Sequence, residues 1–370
     1  MLFDDIRPYT EAEIPAAMQR IASSDYFPLI AAYVYPDEPV DVVRQRVASY
    51  TSVAEFQRQT MYHVNERIVE NTITELTCHG LEALDTHQPY LYISNHRDIM
   101  LDASLLQNCL VDRGFDTTEI TFGANLMINA TVTDIGRSNK MFRVERPGGN
   151  IKEFYRRSQH LSEYIRYAIE SKRQSVWIAQ RNGRTKDGDD RTDQGVIKML
   201  CMSSPDDKIA ALAELHIVPV AVSYEWETCD ILKTLELYES LQRPYIKKPG
   251  EDLNSILTGI TQPKGRVHLE ICTPIAREEL AAMSSLTAYR YHKAVARLLD
   301  GRIRAAYRLF PNNYIAHDLR YGTSRYRHRY SDDQRAAFVA RLRHLDAFEG
   351  CDIDRLRDIF IGIYANPVER

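Results

Sequence analysis

The chain has 370 residues, is 44% hydrophobic and 26% charged, and carries a formal net charge of −4 at pH 7. These values fit a soluble globular protein of one large domain, or of a core domain with helical additions, and the absence of a basic excess argues against nonspecific nucleic-acid binding. The six cysteines (78, 109, 201, 229, 272 and 351) are scattered without close pairing, which favours free thiols in a reducing compartment over a disulfide framework or a cysteine zinc site.

The first residues, MLFDDIRPYTEAEI, hold no apolar signal-peptide core, and no stretch approaches the ~18 apolar residues of a membrane span. A cytoplasmic protein is expected, and contact with the inner face of a membrane from outside the bilayer is compatible with that. Residues 10–80 read as helical: Thr10 with Glu13 three positions on is a capping-box start, and apolar residues then recur at helical spacing through VDVVRQRVASY and VAEFQRQTMYHVNERIVENTITEL.

From about residue 88 the pattern changes. Short β-rich runs appear at YLYIS (90–94), EITFGA (119–124), MFRV (141–144), SVWIAQ (175–180), HIVPVAVSYE (216–225) and RVHLEICTPI (266–275). Helical patterns lie between several of them: DASLLQNCLV, IKEFYRRSQHLSEYIRYAIESK and KIAALAEL. Strands alternating with helices predict an α/β fold, with a central mixed, largely parallel sheet flanked by helices. From residue 284 the chain turns helical again, except that PNNYIAHDLRYGTSRYRHRY reads as a loop rich in Arg and Tyr. The expected organisation is a helical N-terminal region (1–85), an α/β domain (86–283) and a helical C-terminal region (284–370).

Four stretches could carry chemistry. In SNHRDIMLD, His96 falls just past a strand, where a neutral imidazole can serve as a general base, and Asp98 and Asp102 are the carboxylates near enough to orient it. A plainer reading makes Asn95 or Asp98 a helix cap and His96 a loop residue. In IGRSNKMFRVERPGG, Arg137, Lys140, Arg143 and Arg146 crowd a short strand and offer donors to a phosphate or carboxylate, against the plainer reading of a solvated basic edge. In SVWIAQRNGRTKDGDDRTD, Gly183 lets backbone approach a ligand, Arg184 and Lys186 add positive charge, and the acidic run that follows reads as a polar turn pairing with nearby Arg. In HIVPVAVSYE, Pro219 implies an edge position, a strand start or a bulge that shapes a pocket wall.

The order of these blocks resembles the glycerolipid (glycerol-3-phosphate and lysophosphatidate) acyltransferases: a strand-terminal His with a later Asp, then Phe-Arg-Val-x-Arg, then Gly-Arg-x-Lys, then Val-Pro-Val-Ala. WIAQRNGRTK is most similar to the soluble plastid-type glycerol-3-phosphate acyltransferase. The likeness covers roughly residues 88–225. The chain departs from the family in placing five residues, not four, between His96 and Asp102, and in having Asn182 where the family has Glu before its Gly. Asp102 is favoured because the ASLL after it resembles the run after the family's Asp.

The resemblance implies that His96, oriented by Asp102, deprotonates an acceptor hydroxyl, which attacks the thioester of an acyl-CoA or an acyl carrier protein. Arg143, Arg146, Gly183, Arg184, Lys186 and Pro219 are the implied substrate-binding residues. The acceptor is then a phosphate-bearing lipid precursor, with no cofactor, metal or nucleic acid required and an apolar groove for the acyl chain. The competing expectation is a non-catalytic lipid- or phosphate-binding protein on the same fold. A phosphotransferase and a serine hydrolase are disfavoured, since the chain has neither a P-loop nor a G-x-S-x-G elbow. The Arg/Tyr-rich stretch 302–330 reads either as a patch for anionic head groups or an acidic carrier protein, or as amphipathic side chains covering helices.

Overall fold

In the computed structural model, residues 3–145, 150–204 and 206–369 are described. The chain begins with α1 (Ile14–Ala22), α2 (Phe27–Val34), α3 (Val40–Ala48) and α4 (Val53–Phe56). Glu13 ties off the start of α1 by accepting from Thr10 N at 2.7 Å. These helices close a core of their own around Ile14, Met18, Ile21, Phe27, Val43, Val47 and Phe56. A wider turn at Gln57–Met61 leads from α4 into α5 (Tyr62–Thr72).

β1 (Ile73–His79) then follows without a break, inside the stretch that the sequence reads as helix. β2 (Leu91–Ser94), α6 (Leu101–Asp112), β3 (Glu119–Gly123), α7 (Ala130–Ser138), β4 (Met141–Val144), α8 (Ile151–Glu170) and β5 (Val176–Ala179) come next. They are followed by α9 (Gln194–Leu200), α10 (Lys208–Ala213), β6 (Ile217–Tyr224), α11 (Asp230–Ser240), α12 (Glu251–Thr261) and β7 (Gly265–Ile271). The chain ends with α13 (Arg277–Ala281), α14 (Ala288–Ala306), α15 (Pro311–Tyr321), α16 (Asp332–Leu342) and α17 (Ile353–Ala365).

The described strands form one sheet in the order β1-β7-β6-β2-β5-β3-β4. Every neighbouring pair is parallel except β6 with β7. The fold is therefore α/β with a mixed, mostly parallel sheet, as the alternation of strands and helices predicts. Side chains alternate across it, as the two-residue period of a strand requires. Leu91, Ile93, Val176 and Ile178 face α8, α9 and α14, whereas Tyr92, Trp177, Val220 and Val222 face α5 and α6. Both faces are covered, so the central strands read as continuous apolar runs.

Three expectations need correction. β1 is a strand, not helix: it is an edge strand with little burial, so no apolar alternation marks it in the sequence. α15 is a helix where a loop is expected; Pro311 sits at its first position, where the missing N–H costs nothing, and the Asn313 side chain accepts from Phe310 N at 2.8 Å. Pro219 lies in an interior strand, between β2 and β7, not at an edge. Its carbonyl accepts from Cys272 N at 2.9 Å, just past the last β6–β7 pair, Val220 with Ile271. Its ring nitrogen faces the same side, so the one bond it cannot make is to Cys272, at the margin of the β6–β7 ladder.

Candidate active site

The site is built at the C-terminal ends of β2, β5 and β6, where ligands bind in open α/β sheets. Asn95 fastens the end of β2 to β6: its side chain accepts from Val222 N at 2.8 Å and donates to Val222 O at 2.9 Å. His96 comes next. Its Nδ1 lies 3.0 Å from Asp102 Oδ2, and its ring meets Trp177 edge-on with centroids 6.0 Å apart. Asp102 is fully enclosed while His96 keeps 14% side-chain exposure, so the imidazole reaches the opening and the carboxylate stands behind it.

Asp102 is held on all sides. Its Oδ2 also accepts from Arg97 N at 2.7 Å and Asp98 N at 2.9 Å, and its Oδ1 accepts from Tyr224 Oη at 2.8 Å. Burial and the adjacent Asp102 carboxylate hold the Tyr224 phenol well above its ordinary pKa, so it stays a donor. Asp98 does a different job. Its Oδ1 accepts from Met100 N and Leu101 N, both at 2.9 Å, and so caps the start of α6. The fifth residue between His96 and Asp102 is taken up in this capped bend before the helix, with no bulge in its first turn.

Arg97 turns inward. It is 1% exposed and donates to Asp190 from Nε and Nη2, to Glu227 from Nη1 and to Gly188 O. Lys233 completes the network, donating to Arg97 O at 2.6 Å and to Glu227 at 2.5 Å. Asp190, from the acidic run after the third block, is thus a buried partner of arginine, and Asp189 pairs with Arg191 and Arg304. Neither Arg97 nor Tyr224 was singled out by sequence reasoning. The available signals were a basic residue directly after His96 and a tyrosine ending an apolar strand.

The third block packs against the first, since Thr185 N donates to His96 O at 2.7 Å. Gly183 is exposed with φ +73°, a conformation glycine adopts without strain, and a Cβ there would meet no atom within 4 Å. Arg184 is buried and donates from Nη2 to Ser255 Oγ of α12 at 3.1 Å. Its Nη1 has no hydrogen-bond partner among the described residues, and neither does Asp98 Oδ2. Burial opposes the Arg184 charge, yet Cys229, Asp98 and Glu236 around it raise its pKa on balance. Lys186 is paired with Glu236, and burial lowers its pKa. α12 approaches closely because of Gly259, where a Cβ would stand 2.4 Å from Asp98 Oδ2.

The structure thus brings together His96, Asp102, Gly183, Arg184 and Lys186. It does not gather the basic residues of the second block. Arg137 donates to Arg7 O, Lys140 to Thr117 O and Gln174, and Arg143 pairs with Glu145. Arg143 lies on β4, three strands from β2 and roughly 14 Å across the sheet by ordinary strand spacing. Its side chain lines a cavity of about 520 Å³ against α8, with Arg156, Arg157 and His160. A second cavity of about 270 Å³ lies beside α5 and α6, and neither of the two is lined by His96. Arg146 lies outside the described residues. Pro219 is buried in β6 at the level of Ile93, below the site. In the 302–330 stretch, Arg302 pairs with Glu279, Arg304 with Asp189 and Arg327 with Asp332, while the Tyr307 ring lies under buried Arg97.

A His–carboxylate pair, with a buried arginine in the adjoining third block, is an arrangement that can serve direct group transfer. Residues 75–223 match the family model described as Acyltransferase. That match runs from β1 to β6, includes His96, Asp102, Arg184 and Pro219, and supports an acyltransferase enzyme. No curated protein matches the chain. Among solved structures the chain is similar to the 1-acyl-sn-glycerophosphate (LPA) acyltransferase PlsC from Thermotoga maritima, with 13% sequence identity over 80% of this chain and 100% of that one, and a TM-score of 0.37. Among the described residues, no helix is long and apolar enough to cross a membrane.

Proposed function

We propose that the chain is an O-acyltransferase that moves a fatty acyl group from an acyl-CoA or acyl carrier protein to the hydroxyl of a phosphate-bearing glycerol or glycerolipid. The observation that carries this reading is the 3.0 Å contact between His96 Nδ1 and enclosed Asp102, which leaves Nε2 for substrate. His96 Nε2 takes the proton of the acceptor hydroxyl as its oxygen attacks the thioester carbonyl. Asp102 fixes the tautomer and stabilises the imidazolium. The tetrahedral intermediate collapses, the C–S bond breaks, and the imidazolium returns its proton to the departing thiolate, whose pKa of about 8.5 makes it a good leaving group.

Arg184 holds the acceptor phosphate. Its buried Nη1, without a protein partner, supports that role, and Gly183 leaves room beside it. Lys186 contributes less because Glu236 already neutralises it. No cofactor or metal enters this chemistry. Exposed Leu241, Ile246, Leu253 and Leu257 on and before α12 support contact with a membrane surface, where a glycerolipid acceptor would lie. The likeness of WIAQRNGRTK to the plastid-type enzyme makes glycerol 3-phosphate the first acceptor to try, with lysophosphatidate second.

The test is thiol release by purified protein supplied with acyl-CoA or acyl carrier protein and each acceptor. Turnover that depends on acceptor and disappears in folded His96→Ala is expected. Turnover unchanged in His96→Ala overturns the assignment of the base, and no turnover with any pair favours a non-catalytic binding protein.

A further inference from the structure

A second cluster of ligating side chains lies at the β1–β7 edge, on the sheet face opposite Leu269. His268 and Glu270 alternate on β7, and β1 places Thr77 beside His268 and His79 beside Glu270. His268 Nε2 stands 3.0 Å and His79 Nδ1 3.8 Å from Glu270 Oε2, and the two rings meet edge-on with centroids 5.0 Å apart. One donor atom from each of His79, His268 and Glu270 lies within 4.8 Å of the others.

Tetrahedral zinc with ligands at ~2.1 Å holds its donor atoms roughly 3.4 Å apart. The observed separations bracket that value, so side-chain torsions alone can close the set. The other nitrogen of His268 is already fixed, with Nδ1 2.7 Å from Thr77 Oγ1. That is the outer partner a metal-bound histidine ordinarily has. Two imidazoles and one carboxylate suit zinc rather than magnesium or calcium, which require oxygen donors. His79 is 62% exposed and Glu270 33%, leaving a solvent side for a fourth ligand. A cation, Arg308, stands close by, with its Nη1 3.4 Å from Thr77 Oγ1, and it limits the affinity.

We propose that His79, His268 and Glu270 form a zinc site that clasps edge strand β1 to β7. It is separate from acyl transfer: His96 lies beyond β2, two strands from β7. Its protein ligands come from two neighbouring strands, so a bound ion would cross-link β1 to β7.

The full chain, freed of any affinity tag and stripped with chelator, is titrated with zinc chloride by calorimetry, and its melting temperature is followed. One equivalent bound with a rise in melting temperature is expected. His79→Ala, at an exposed position that does not endanger folding, and Glu270→Gln should each weaken binding at least tenfold, while His160→Ala leaves it unchanged. No saturable binding by the wild type, or binding retained in both His79→Ala and Glu270→Gln, overturns the proposal.

Discussion

Replacing Asp102 by Asn separates charge from shape at the site. An amide can keep its oxygen toward His96 Nδ1, Arg97 N and Asp98 N, while its NH2 faces the Tyr224 hydroxyl, which can rotate to accept. The fold should survive, and what is lost is the negative charge behind the imidazolium. With Nδ1 and Oδ2 3.0 Å apart, the charge centres are ~4 Å apart, worth about 4 kcal/mol at an effective dielectric near 20. At about 1.4 kcal/mol per tenfold, kcat/KM should fall by about 10³. Thiol release under subsaturating acceptor measures it, with circular dichroism as the check on folding. Asp98→Asn is the matched control: its oxygen still caps α6, so it should cost less than about tenfold. The reverse pattern, a large loss in Asp98→Asn and a small one in Asp102→Asn, refutes the reasoning.

Tyr224→Phe deletes one of the four hydrogen bonds that hold Asp102, and should lower kcat about tenfold with little change in acceptor KM. Arg184→Ala should raise the KM for a phosphate-bearing acceptor by about 10²-fold, as expected for a lost charge-assisted contact; an unchanged KM would remove Arg184 from the phosphate site. Gly259→Ala places a Cβ against Asp98 Oδ2 and should destabilise the protein by about 1–3 kcal/mol in urea unfolding. Lys264 is fully buried, and burial lowers its pKa to about 8. A lysine charged below pH 8 in both states carries the full burial penalty there, and the unfolded chain keeps its proton up to about 10.4. Stability should therefore rise between about pH 8 and 10.4, by on the order of 2–3 kcal/mol, and Lys264→Met should flatten that rise in denaturant midpoints.

Six of the seven strands among the described residues were legible because their apolar runs are bounded by turn residues and lie between amphipathic helices. β1 was not: ITELTCH follows α5 with no glycine or proline, and as an edge strand it buries little. The loop expected at 311–330 begins only after Tyr321, because the proline was misread: Pro-Asn-Asn opens α15. Strand order lies outside what spacing conveys, and so does the dispersal of the described basic residues of the second block. Arg137, Lys140 and Arg143 are neighbours in sequence, but a helix end, a left-handed Lys140 and a strand send them to three different places. The juxtaposition of His96 with Asp102 was legible because both lie on one strand–helix turn. Tyr224, 122 residues from Asp102, was not.

The arginine after the histidine also bears on how this chain would look in a saturation screen. Arg97 faces away from the opening, with its guanidinium spread over Asp190 and Glu227 in a dry interior. Truncating it strands two carboxylates and Lys233 together, a loss of about 3–5 kcal/mol. A survey scored by activity alone would rank Arg97 beside His96. Only a parallel score for soluble, folded protein would distinguish the residue proposed as the base from the one that keeps its backbone in place.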